Sequence, residues 1–293
     1  MDINYELYKV FYYVAVSLSF SDASKKLYIS QSAVSQSIKV LEKKLDQTLF
    51  IRSTKKVQLT PEGEILLRHI EPAVNLIRRG EAQIMETSTL GGGQIRIGAS
   101  DTICRYFLVP FLSRFHREYP GVHIKVTNQT SIKCADLLEN GAVDLIFTNY
   151  PNSRLGHGSH VEYLRDFHDC FIANRRFYKE LEHRTLSLRE LLDYPILMLD
   201  RNSTTSEFLH AAFQQHQLDL VPEIELSSND LLLDLADIGL GIAFVPDYCL
   251  SLGPGSDLFR LNLEEELPAR QLALVYNERM PISSAARQFI KYF

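Results

Sequence analysis

A short turn between two segments of helical period, near the start of the chain, limits the possible folds more than any other feature. Leu7, Phe11, Val14 and Leu18 recur at spacings of four, three and four, the period of a helix that buries one stripe. Ser19 or Ser21 offers an N-cap for a short second helix with Ala23 and Leu27 on its inner face. Tyr28, Ile29 and Ser30 then leave room only for a tight connection. Ser30 caps a third helix, its hydroxyl placed to accept from the free amides of Ser32 or Ala33. That helix buries Val34, Ile38, Leu41 and Leu45 and turns outward Gln31, Ser32, Ser35, Gln36 and Lys39. Two helices joined this closely, the second with short polar residues at its front, have the geometry that enters a DNA major groove. Gln31 and Gln36 offer donor and acceptor together, a combination that suits adenine or mixed base edges.

A helical hairpin with a polar solvent face would show the same periodicity, and the charge that follows favours the DNA reading. Up to residue 60 there are nine Lys and Arg against five Asp and Glu, a formal +4 in a chain whose total is −5. A basic end on an acidic body calls for a polyanionic partner at that end only. Lys39, Lys43, Lys44, Arg52, Lys55 and Lys56 form a basic stripe. Thr48 to Thr60 alternates Leu49 and Ile51, then Val57 and Leu59, around the polar tip Ser53, Thr54, Lys55, Lys56, which reads as a two-stranded wing. The wing would set Arg52, Ser53, Lys55 and Lys56 beside phosphates, fixing position with little sequence information.

The run from Phe11 through Ala23, Leu27, Ser30 to Ile38, Leu41, Glu42, Leu45, Leu49, Phe50 and Arg52 to Leu59, Thr60, Pro61, Glu62 and Gly63 resembles the signature of LysR-type transcriptional regulators from end to end. Three positions depart from it: Ser24 where Ala is more frequent, Ser32 where Pro is, and Asp46 where Gly is. None removes a helix or a cap, and Asp tolerates left-handed geometry better than most residues.

Thr60 with Pro61 at the first helical position starts a linker helix. Leu66, Ile70, Ala73, Ile77 and Ile84 fall on a heptad seam that suggests pairing with a second copy, which the resemblance also implies. Pro72 and Gly80 weaken this helix, and a kink is expected near Glu71. Thr87 to Gly93, with three consecutive glycines, reads as a hinge. No Gly-Lys-Ser/Thr follows, so it is not a phosphate cradle.

From Gln94 onward, β-rich runs such as Ile95 to Ala99, Val122 to Thr127 and Asp144 to Thr148 alternate with helical ones such as Phe107 to Tyr119, an α/β pattern with a largely parallel sheet. Further strands are expected at Phe171 to Ala173, Ile196 to Leu199, Glu223 to Leu226, Gly241 to Val245 and Gln271 to Val275, and a last helix at Ser283 to Phe293. The expected architecture is an N-terminal all-α winged helix-turn-helix (1–60), a linker and dimerisation helix with hinge (61–90), and an α/β two-lobed effector domain (91–293). The lobes would be roughly 91–160 with 268–293, and 161–267. Gly98 to Ser100, Gly141 to Leu145 and Ile238 to Pro246 resemble the LysR effector domain and, through it, periplasmic binding proteins.

In open α/β sheets ligands bind beyond the carboxyl ends of strands, where helix N-termini present free amides. That rule selects Ser100 and Thr102, Asn128, Thr148 and Asn149, and Asn202, Ser203 and Thr204, all of which also suit turns and caps. Hydroxyls and amides with few fixed charges suggest a small anionic metabolite. Partners expected from the resemblance are operator DNA, this effector, a second copy or a tetramer, and RNA polymerase, with no cofactor and no metal.

Rival readings have less support. No H-E-x-x-H or G-x-S-x-G run marks an enzyme. His157 and His160 fall in a Gly-rich stretch that reads as a surface loop, not a metal site. Cys104, Cys134, Cys170 and Cys249 form no C-x-x-C pair, and only Cys104, near the expected cleft, is a candidate thiol sensor. A solute-binding protein would share the second half but not the basic first. Asp2 and Glu6 interrupt any leader and Asp234 with Asp237 any span, so a cytoplasmic protein without membrane contact is expected.

Overall fold

The computed structural model describes residues 3–52, 56–88, 93–250 and 256–293. The chain divides into two compact units, Met1–Met85 and Glu86–Phe293.

In the first unit, α1 (Tyr5–Ser17), α2 (Phe20–Leu27) and α3 (Gln31–Leu45) each begin at a side-chain cap: Asn4 accepts from the Glu6 amide at 2.9 Å, Ser19 from Asp22 at 3.1 Å and Ser30 from Ala33 at 3.2 Å. Each ends at a left-handed residue, Leu18, Tyr28 or Asp46, with φ between 47° and 55°. Leu18 is therefore a terminating residue and largely exposed, where periodicity predicts a fourth member of the buried stripe. Phe11, Val14, Ala23, Val34, Ile38 and Leu41 are buried together with Leu49 and Phe50, and the Phe11 and Phe50 rings lie 5.5 Å apart.

β1 (Phe50–Arg52) and β2 (Val57–Leu59) pair antiparallel with Phe50 opposite Leu59. The wing is pinned from both sides. Glu42 on α3 accepts from the Leu49 amide at 2.9 Å, and Thr60 donates its hydroxyl to the Thr48 carbonyl at 2.7 Å. The same Thr60 oxygen accepts from the Gly63 amide at 3.0 Å, capping α4 (Pro61–Ser88). A Cβ at Gly63 would overlap the Leu49 carbonyl, so glycine is required where helix and wing meet.

α4 continues without a break through Pro72, although Pro72 lacks the amide that would bond the Arg68 carbonyl. The seam divides: Leu66 and Ile70 pack on the core of this unit, whereas Ile77 and Ile84 are exposed. Gly80 has open space where a Cβ would go. Gly80→Ala is therefore expected to stabilise the first unit by about 0.5–1 kcal/mol through the unfolded chain's lost freedom, read as a raised urea midpoint.

In the second unit, β3 (Gly93–Ala99) leads into α5 (Asp101–Ile103), which passes through one π-helical turn (Cys104–Leu108) into α6 (Val109–Glu118). Then come β4 (Val122–Asn128), α7 (Ser131–Glu139), β5 (Leu145–Tyr150), β6 (Ser159–Phe167), β7 (Asp169–Asn174), β8 (Thr185–Leu186) and α8 (Leu188–Leu191). The remainder is β9 (Ile196–Leu199), α9 (Thr204–Gln215), β10 (Ile224–Leu226), α10 (Asn229–Asp237), β11 (Ile242–Pro246), β12 (Leu258–Arg260), β13 (Asn262–Leu263), β14 (Arg270–Asn277) and α11 (Ser284–Ile290).

Two five-stranded sheets result, ordered β4-β3-β5-β14-β6 and β10-β9-β11-β7-β12. Each contains two parallel and two antiparallel pairings, so the sheets are mixed where the alternating pattern predicts largely parallel ones. The reason is that β14 and β7 enter their sheets by crossing between lobes, not by a helical crossover within one. β6 was not expected, since its start reads as a Gly-rich loop. It belongs to the first sheet and carries the lobe boundary from the expected 160 to His168. β5, β7 and β11 are almost wholly buried, which explains their unbroken apolar runs: both faces are covered.

At the crossings, Arg270 opens β14 and Asp169 opens β7, and the two meet at 2.8 Å with both side chains buried. The Arg270 guanidinium also donates to Thr205 on α9 at 3.2 Å and lies over the Phe167 and Phe208 rings. Burial raises the Asp169 pKa, and the adjacent Arg270 opposes that rise.

Candidate DNA-binding surface and effector cleft

At the front of α3, Ser30, Gln31, Ser32, Gln36 and Lys39 are exposed and Ser35 is half-buried. The helical period brings them to one side because Val34, Ile38 and Leu41 take the other. Ser30 holds the Ala33 amide and its hydroxyl lies 2.9 Å from that of Ser32. Lys56 is exposed beside the wing, while Ser53, Lys55 and the Arg52 side chain lie outside the described residues. Tyr28, read from sequence only as part of the turn, is 95% exposed two residues before Ser30. The sole signal for it was an aromatic residue where a left-handed turn was required.

A cleft of about 400 Å³ opens beyond the carboxyl ends of β3, β4 and β5 on one sheet and of β9 and β10 on the other. Ser100, Thr102, Asn128 and Asn149 line it from the first lobe, and Asn202, Ser203 and Thr204 from the second. Thr148 does not. It is wholly buried, donating to the Asn149 carbonyl at 3.2 Å and accepting from Asn152 at 2.9 Å. Adjacent residues of a strand face opposite sides, so only Asn149 of the pair reaches the cleft.

Sequence reasoning missed Asp101, Ser131, Lys133, Asp200, Thr205 and Asn229, which also line it. Strand ends and helix caps were the available signal: Ser131 follows the Thr130 cap of α7, Thr205 the Ser203 cap of α9, and Asn229 the Ser228 cap of α10. The first amides of these three helices have no intrahelical acceptor. With the partial positive charge of each helix N-terminus they favour an anion.

The lobes are tied across the cleft. Asn229 donates to Thr102 at 2.9 Å, and Tyr106 donates to Asp230 at 2.5 Å. Tyr248 donates to the Asn149 side chain at 3.1 Å. Burial, with the hydrogen bond to Asp230, pushes the Tyr106 phenol up to about 12. Cys104 does not line the cleft, and burial with Asp101 nearby pushes its thiol up to about 11, the wrong direction for a reactive thiolate. His160 stacks on Tyr276 at 4.7 Å and faces Glu278 at 3.4 Å. Among the described residues no group of three His, Cys, Asp or Glu side chains is arranged to hold a metal, and no helix is long and apolar enough to cross a membrane.

Residues 5–64 match the model of the bacterial regulatory helix-turn-helix proteins of the lysR family, and residues 88–293 match the LysR substrate binding domain. A curated relative, the HTH-type transcriptional activator CmpR of Synechocystis, is 26% identical over 286 residues, covering 97% of this chain and 93% of its own. Among solved structures, full-length CbnR in complex with its target DNA shares the fold with a TM-score of 0.66 at 17% identity, over 99% of this chain and 98% of that one. The Synechocystis CcmR regulatory domain in complex with 2-PG matches 68% of this chain and 94% of its own, with a TM-score of 0.61 at 21% identity. A helix-turn-helix unit followed by an α/β unit with a polar cleft, matched by both family models across nearly its full length, makes this chain a member of the LysR family, a DNA-binding transcriptional regulator with an effector-binding domain.

Proposed function

We propose that this regulator reads operator DNA through the front of α3, with the wing on the flanking phosphates, and responds to a small anionic metabolite in the cleft. The observation that carries the effector reading is the convergence of three capped helix N-termini and a rim of hydroxyls and amides on one cleft of about 400 Å³. In this reading 1–60 binds DNA, 61–90 links and dimerises, and 91–293 senses. The exposed Ile77 and Ile84 face supports pairing of α4 with a second copy, giving a dimer or tetramer. A symmetric protein then meets a symmetric operator, and the effector acts by binding the two lobe arrangements with different affinity. RNA polymerase contact and a cytoplasmic location belong to the same proposal.

On the DNA side, Gln36→Ala is expected to lower discrimination at one base pair by about 1–3 kcal/mol. Lys39→Ala and Lys55→Ala should instead weaken all sequences alike and reduce the salt slope by about 1 each. Anisotropy titrations against DNA upstream of the protein's own gene and against base-substituted duplexes separate the two outcomes. Identical behaviour of both classes would remove the assignment of α3. On the sensing side, calorimetric titration of a metabolite panel should find binding among small carboxylates or phosphate esters. A panel in which only cations or large apolar compounds bind would overturn the anionic reading.

A further inference from the structure

The side chains lining the cleft are not those of a simple anion site. Among the described residues lining it, Lys133 is the one cation, against two carboxylates, Asp101 and Asp200. Asp101 accepts from the Asn128 amide group at 3.0 Å, and Asp200 accepts from the Asn202 backbone amide at 2.9 Å. Among the described residues neither carboxylate is within ion-pair distance of a cation. Each therefore retains lone pairs that only solvent or a ligand can meet.

Asn229 gives an independent indication. It is 5% exposed, its side-chain nitrogen is committed to Thr102, and its Oδ1 is buried with no hydrogen-bond partner among the described residues while the side chain lines the cleft. The Asp200 amide bonds the Leu226 carbonyl at 2.9 Å, which brings Asp200 beside Ser227 and near Asn229. Acceptors from both lobes, Asp101 from the first and Asp200 and Asn229 from the second, thus share the cleft with the helix N-termini that favour an anion. A ligand filling the cleft displaces water from these acceptors, and an unmet carboxylate or amide oxygen there would weaken binding.

Resting on the anionic reading above, we infer that the effector is a small anion that also carries hydroxyl or amino hydrogen-bond donors, and that Asp101, Asp200 and Asn229 select for them. Its negative group sits at the amides of α7 and α9 near Lys133, and its donors point at Asp101, Asp200 and the Asn229 Oδ1. The three acceptors discriminate against anions of the same size without donors, because a site built to accept from a donor is left with unmet groups when the donor is missing.

The test uses the full chain and matched pairs of probes, succinate against malate and succinate against aspartate, each titrated by calorimetry. The donor-bearing member of at least one pair should bind 10-fold or more tightly than its partner. In Asp200→Asn and Asp101→Asn that ratio should fall at least threefold, because the acceptor loses its charge while keeping its shape. The hydroxyl and amino pairs tell the two donor types apart. Donor-free members binding as tightly as their partners, or an unchanged ratio in both variants, would overturn the inference and leave the anionic reading standing. Binding by cations or apolar compounds alone would overturn both.

Discussion

Arg270→Ala should destabilise the effector-binding unit by about 3–5 kcal/mol, because it leaves the Asp169 carboxylate buried without its cation. Both side chains are at most 1% exposed, so solvent cannot replace the lost partner. The loss has a pH signature. Burial already raises the Asp169 pKa, and removing the opposing Arg270 raises it further above its unfolded value. The folded variant then holds a proton that the unfolded chain releases, so its stability falls as pH rises from the unfolded Asp value of about 4 towards the raised folded value. Urea unfolding should show a larger deficit for Arg270→Ala at pH 8 than at pH 5. Replacing the pair with Arg270→Met and Asp169→Leu should recover most of the loss. A deficit independent of pH, or a double replacement as unstable as the single, would mean that the pair does not act as a buried charge pair. Because Arg270 joins both crossings to Thr205 at the cleft, the single variant should also lose effector response.

Phe11→Ala should cost the DNA-binding unit about 3–5 kcal/mol. Its ring is fully buried at the centre of the helix-turn-helix core against Phe50, where the wing begins, so the cavity opens between α1 and the wing strand. Calorimetric unfolding of the full chain tests this together with the division into two units. Phe11→Ala should lower one transition and abolish DNA binding while effector binding by the second unit persists. Arg270→Ala should lower the other. Equal shifts of a single transition by both variants would contradict separate units.

The legible parts of the molecule are those whose interactions close within a few residues. Ser30 capping Ala33, Thr60 capping Gly63 and the left-handed Asp46 each follow from residue chemistry at short separation. The apolar period that buries Val34, Ile38 and Leu41 also faces Gln31, Ser32, Gln36 and Lys39 outward, so the polar outer face of α3 follows from the sequence. Strand-end logic reached the effector cleft for the same reason, since parallel strands end where helices begin. It failed at Thr148, because choosing between neighbours on a strand depends on which face the sheet turns to the cleft.

What the chain alone determined, then, is the helices of the first unit with their caps, the polar outer face of α3 and the family. Tertiary structure alone decided which acceptors share the cleft and what holds the lobes. Asn229 meets Thr102 across 127 residues and Arg270 meets Asp169 across 101, distances at which neither periodicity nor capping carries information. Such pairings exist only once two sheets exchange strands, and the partner of a buried charge is then fixed by packing and desolvation, not by spacing along the chain.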